Sequence, residues 1–296
     1  MSSEVSVKPS TAAIFLQRPP ADIRLASLRA IYIIWYRDIL RFWRDRWRVA
    51  ASLAQPLLFL VVFGSGLSSS LKGSASFGTA GRLSYIQFMY PGIIGMAILF
   101  TSIFGAMSIV WDREFGFLKE VLVAPIDRSA VAIGKALGGT TQAMFQGLIL
   151  LILAPFVGVK LSVITVLTMI PLAAVLAFGL SSFGVALASS MKSMQGFQVV
   201  MNFLMMPMFF LSGALFPLNG LPGWMTVLTR LDPASYGIDP LRRVVLSESG
   251  LPASVVDRLG LTINGQVLPI AVEAGIVLAF GIVMLAIAVV SFKRRD

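Results

Sequence analysis

Six stretches of this chain are apolar for about the length of a membrane-crossing helix, and nothing else in it limits the possible folds so strongly. Val49–Leu67, Tyr90–Val110, Ala136–Val157, Val163–Ser190, Gly196–Leu215 and Leu268–Phe292 carry a single charged residue between them, Glu273. A helix needs about 20 consecutive apolar residues to cross the hydrocarbon core of a bilayer. Strands of a membrane barrel are shorter and alternate apolar with polar, a pattern these runs lack. Within lipid the backbone must satisfy its own N–H and C=O groups, which a helix does inside one segment. The expected fold is all-α integral membrane: one domain over residues 1–296 with six transmembrane helices. Charge is sparse enough to agree. Only 13% of residues are charged, where a soluble domain carries about 25%.

The placement of the positive charges orients the chain. Nine Lys and Arg residues precede the first run, from Lys8 to Arg48. Arg113, Lys119, Arg128 and Lys135 follow the second, Lys192 the fourth, and Lys293, Arg294 and Arg295 the sixth. The intervening segments hold seven: Lys72, Arg82, Lys160, Arg230, Arg242, Arg243 and Arg258. Basic residues are retained in the cytoplasm. Both termini are therefore expected there, and an even number of spans agrees. Because the basic excess hugs the membrane boundaries, no nucleic-acid partner is expected despite a net charge of +10. Residues 1–21 are polar and lack the apolar core and cleavage site of a signal peptide.

Residues 22–48 read as an amphipathic helix lying in the cytoplasmic interface, in contact with membrane lipid. Arg37, Arg41, Arg44, Asp45 and Arg48 fall on one face. Leu28, Ile31, Trp35, Ile39, Phe42, Trp43 and Trp47 fall largely on the other. A basic stripe opposite Trp and Phe suits such a position. On the far side, Ser68–Ser84 reads as a flexible loop and residues 217–267 as the longest external segment. Trp224–Arg230 and Leu241–Leu246 are candidate short helices there, and Asn264-Gly265 carries a hairpin signal. Asp127 is a candidate cap for the third span. Ala177, Ser181, Gly184 and Ala188 give the fourth span a small-residue face for close helix packing. The fifth span is rich in methionine, with Met194, Met201, Met205, Met206 and Met208 near Asn202, Phe209 and Pro207. Core packing around a proline kink and an adaptable wall for apolar ligands both fit that composition.

Several chemistries have no residues to carry them. The chain has no histidine and no cysteine, which excludes His-based catalysis, the H-E-x-x-H zinc site and thiol chemistry. No acid stands in the middle of a span, where ion-coupled transporters usually place at least one. Gly134-Lys135 is followed by Ala136, without the hydroxyl of a P-loop. No catalytic residue, metal ligand or bound cofactor is expected in this chain.

The loop after the second span is different. Asp112-Arg113-Glu114-Phe115-Gly116-Phe117-Leu118-Lys119-Glu120-Val121-Leu122-Val123-Ala124-Pro125 mixes paired charges with aromatic and aliphatic side chains. It is too short to fold alone and too apolar to stand free, so docking on a partner protein is the natural reading. A charged helix extension stopped by Pro125 is the simpler alternative. This order, with Arg128 and Gly134-Lys135 after it, resembles the loop of ABC-2 type permeases, the membrane subunits of ATP-binding-cassette exporters. Gln55-Pro56-Leu57-Leu58-Phe59-Leu60-Val61-Val62-Phe63-Gly64 and Tyr90-Pro91-Gly92 are similar to the branch holding daunorubicin-resistance and nodulation lipooligosaccharide permeases.

The resemblance implies a permease that pairs with a second copy or a related permease and with two nucleotide-binding subunits, which hold the ATP and Mg. It would sit in the inner (plasma) membrane of a bacterium and export an amphipathic drug-like or lipid-linked substrate. Residues 112–125 would form the coupling helix, with Arg113, Glu114, Phe115, Gly116, Leu118 and Glu120 meeting the ATPase. The 22–48 segment, with Trp35, Arg37, Arg41, Trp43 and Arg44, would be the connecting helix. Spans two and five would line the substrate path with Phe100, Phe104, Met107, Asn202, Met205, Met206 and Phe209. The 217–250 segment would form short re-entrant helices. An ion-gradient-driven secondary transporter and an intramembrane lipid enzyme are the competing classes. The missing central acids and catalytic groups oppose them.

Overall fold

A computed structural model describes residues 23–71, 85–115, 127–159, 161–218, 220–248, 252, 256, 259–263 and 266–294. Helix α1 (Ile23–Arg44) is followed by α2 (Arg46–Leu71), α3 (Tyr85–Gly105) and its short continuation α4 (Met107–Glu114). Then come α5 (Arg128–Leu153), α6 (Val163–Ser190), α7 (Met194–Leu211), α8 (Gly223–Leu231), α9 (Pro233–Ser247) and α10 (Ile270–Arg294). A two-residue hairpin precedes α10: β1 (Thr262–Ile263) pairs antiparallel with β2 (Gln266–Val267). Among the described residues, five segments are long and apolar enough to cross a membrane: Tyr85–Glu114, Arg128–Val157, Val163–Ser190, Met194–Leu211 and Ile270–Lys293. A sixth forms if Ser27–Arg44 and Val49–Gly64, bent by 69°, count as one span. The protein is an all-α, multi-pass membrane protein.

The ends of these helices follow local chemistry. Asp127 caps α5 by accepting the Ser129 N–H at 3.0 Å. That hydrogen bond holds the Asp127 carboxyl below the ordinary carboxylate range. Ser162 and Ser193 cap α6 and α7 through the N–H groups of Thr165 and Gly196. α7 stops at Leu211, four residues before its apolar run ends. Gly213 there takes a positive φ of 75°, which turns the chain out of the helix. Span two begins earlier than its apolar run, at Tyr85. α9 is longer than the Leu241–Leu246 stretch, because Asp232 caps it and Pro233 opens it.

Helix α3 sits at the centre, buried along most of its length against α5, α6 and α9. The small-residue face of α6 allows this. A Cβ on Gly184 would come within 3.0 Å of the Ile103 backbone, and Ser181 Oγ donates to the Ala136 carbonyl at 2.8 Å. Lipid tails provide little hydrophobic drive between helices, so such close backbone approach carries the packing. α10 packs chiefly on α6. At the end of the bundle away from α4, α9 rests on α3, α6 and α10. Arg243 joins it to the last span by pairing with Asp239 at 3.2 Å and Glu273 at 2.9 Å.

Candidate functional site

The end of span two is where the conspicuous loop begins, and three elements converge on it. α1 lies along α5 in the same direction. Ile34 packs on Gly134, Asp38 on Gly138, and Trp43 on Phe145 with ring centroids 4.8 Å apart. The register brings together five charges. Lys135 Nζ, almost fully buried, donates to Asp38 at 3.1 Å, Asp112 at 3.2 Å and Ser108 Oγ at 2.9 Å. Arg37 bonds Asp112 at 3.2 Å and Arg41 lies 3.9 Å from it. One buried lysine thus locks α1, the end of span two and the start of span three together. An ammonium removed from water is tolerated only with such partners.

The same helix has three faces where the sequence reading assigned two. Ala30, Ile34, Asp38 and Phe42 are buried on α5 at intervals of four. Trp35 is half-buried and donates through Nε1 to Thr141 Oγ1 at 3.0 Å. Leu28, Ile33, Tyr36 and Trp43 are largely exposed, as are Arg41 and Arg44, and so is Trp47 at the start of α2.

Arg113 and Glu114 were expected to reach a partner protein. Within the chain both are already engaged. Arg113 Nη1 donates to the carbonyls of Ser189, at 3.1 Å, and Met191. Glu114 Oε2 accepts the Met194 N–H at 2.8 Å. A cation therefore sits at the C-terminal end of α6 and an anion at the N-terminus of α7, each satisfying groups a helix leaves unpaired. Phe115 is exposed and packs against Trp111, with centroids 4.9 Å apart. Gly116, Leu118 and Glu120 lie outside the described residues.

The predicted substrate-path residues divide. Phe100, Phe104 and Met107 line a cleft of about 340 Å³. The start of span one supplies its opposite wall with Ser52, Gln55 and Pro56, and Phe42 and Gln142 close the end nearer the charge cluster. The lining is mostly apolar, with a few amides and hydroxyls, as small-molecule sites are. Met205 and Phe209 do not reach it. They are fully buried, and Phe209 packs edge-on to Phe59 at 5.7 Å and Phe100 at 6.3 Å. Asn202 and Met206 face outward with Val199, Phe203 and Phe210. Residues 201, 205 and 209 recur at four-residue spacing and turn inward, while 202 and 206, each one position further on, turn outward. Sequence reasoning missed Asp38, Asp112 and Lys135 as one unit. The only available signal was charge placed where an apolar span begins or ends.

A bundle of membrane-crossing helices with an apolar cleft and a charge-locked boundary suits a membrane transport protein. Residues 29–246 match the family of ABC-2 type transporters, and the chain belongs to that family as a membrane permease component. The ycf38 protein of Cyanophora paradoxa is 28% identical over 230 residues, covering 77% of this chain and 78% of its own length. The inner membrane transport permease YadH of Escherichia coli (strain K12) is 28% identical over 232 residues, 75% of this chain and 85% of its own. Nodulation protein J of Rhizobium meliloti (strain 1021) is 25% identical over 224 residues, 75% and 80% respectively.

Proposed function

We propose that this permease exports an amphipathic, drug-like or lipid-linked molecule from the cytoplasm or the inner leaflet, driven by ATP hydrolysed with Mg on a separate nucleotide-binding subunit. The cleft between spans one and two carries the reading. It lies on the same half of span two as the charge cluster, its walls are Phe and Met, and Gln55 and Gln142 offer amides for a polar group. In this reading the segment after Glu114 meets the ATPase through Phe115, Gly116, Leu118 and Glu120. A second copy, or a related permease, covers the outward face of span five, and only then do Asn202 and Met206 reach a shared path. Both termini face the cytoplasm, and the membrane is the inner membrane of a bacterium, as in the name of the Escherichia coli relative.

The test is transport into inside-out vesicles holding the permease with its nucleotide-binding subunit. ATP should drive uptake of an amphipathic dye, and Phe104→Ala should change the dye concentration that half-maximally stimulates ATP hydrolysis. Uptake by the permease alone under a proton or sodium gradient would overturn the proposal.

A further inference from the structure

Span five is attached to the rest of the chain chiefly at its two ends. At the inner end, Glu114 holds the Met194 N–H at 2.8 Å, and Arg113 holds the preceding turn through Ser189 and Met191. At the outer end, the Leu211 carbonyl accepts from Ser235 Oγ at 3.2 Å and the Gly213 carbonyl from Arg242. The Leu215 carbonyl accepts from Tyr85 OH at 3.1 Å. Ser235 and Arg242 belong to α9, and Arg242 is wholly buried, over the Phe88 ring at 4.5 Å. Between these fastenings only Phe197, Met201, Met205 and Phe209 of the helix are buried. An 18-residue helix is about 27 Å long and stiff along its axis. Pro207 removes one rung of the backbone ladder and gives it a single compliant point.

We infer that span five is a push-rod: motion of the coupling segment enters it through the Glu114–Met194 bond and leaves it through Ser235 and Arg242, moving the external helices α8 and α9. Glu114 acts as a positioning residue, and its carboxylate serves its own chain rather than the ATPase surface. The bond is built for load. It is charge-assisted and lies along the dipole of the helix it holds. The end of α4 passes directly into the segment proposed to meet the ATPase, so displacement there has one short route to span five. The inference rests on that proposed ATP coupling.

The absence of cysteine allows single reporters. In vesicles holding the permease with its nucleotide-binding subunit, thiol labelling at Trp224→Cys on α8 reports the outer end, and Phe115→Cys reports the coupling segment. Both sites are exposed in the permease by itself, so in the complex the labelling rate at Phe115→Cys reads how closely the ATPase covers it. Vanadate trapping with ATP should change the labelling rate at both positions. Adding Glu114→Ala should abolish the change at Trp224→Cys and preserve it at Phe115→Cys. Glu114→Gln, which keeps an oxygen for the Met194 N–H, should preserve both. If the alanine variant does not accumulate, Glu114→Asp, one methylene short, replaces it with the same expected loss. A response at Trp224→Cys that survives Glu114→Ala overturns the inference, as does Glu114→Gln behaving like the alanine variant. No nucleotide response at Phe115→Cys in the parent would remove the ATP-coupling reading beneath it. A response there with none at Trp224→Cys in the parent would remove the push-rod alone.

Discussion

Replacing Lys135 by methionine tests the charge lock most directly. Methionine keeps the length of the stem and removes the ammonium. Lys135 is 2% exposed at its side chain, and its partners Asp38 and Asp112 are 6% and 8% exposed. Leaving a buried charge without its partner costs about 3–5 kcal/mol. Asp112 is partly rescued, since Arg37 stays 3.2 Å away, but that arginine is 40% exposed and its contribution is screened. Asp38 keeps only a distant contact to Arg37 at 3.9 Å. The loss should therefore fall near the lower end, about 3 kcal/mol, which is more than a hundredfold in the folded-to-unfolded ratio. Changing Asp38 to asparagine in the same chain removes the stranded carboxylate. The double variant should recover about 1–3 kcal/mol relative to the sum of the two single changes. Thermal scanning of the purified variants in one detergent, followed by tryptophan fluorescence, gives the order. A Lys135→Met protein as stable as the parent, or a double variant with merely additive loss, would refute the reasoning.

Two further outcomes are expected. A membrane-impermeant thiol reagent should label Gln266→Cys, in the external hairpin, only from outside the cell, and Phe115→Cys only in inverted vesicles; the reverse pattern would invert the topology. Phe209→Ala should lower stability by about 3–5 kcal/mol, because the ring is buried between Phe59 and Phe100; an unchanged melting temperature with altered substrate response would place it in the path instead.

The six apolar runs made the helices legible, because length and hydropathy act within one segment and need no neighbour. Val163–Ser190 matches its helix residue for residue. Asp127 and the pairing of Thr262–Ile263 with Gln266–Val267 were legible for the same reason: a cap and a short hairpin are chemistry between residues a few positions apart. Pairings across the fold were not. Lys135 and Asp38 stand 97 residues apart, and nothing local tells which acid a buried lysine will meet. Trp35 looked like lipid-facing bulk because its indole N–H finds Thr141 only once α1 lies on α5. The division of span five into a buried and an outward face was available from the four-residue spacing of Met201, Met205 and Phe209. Composition, which grouped Met205 with Met206, hid it.

The fastening of span five also sets an order of events during synthesis. Glu114 leaves the ribosome 80 residues before Met194, and Arg113 leaves 78 before Met191. At about 5–20 residues per second, that gap lasts roughly 4–16 seconds. Through that interval an arginine and a glutamate stand at the membrane boundary without the helix ends they are to neutralise, while two more spans are inserted. A chain that stalls after span four leaves Glu114 without the Met194 N–H it is to accept, and so does one whose fifth span enters in the wrong register. The carboxylate at the end of span two is thus a chemical record of whether the fifth span has arrived.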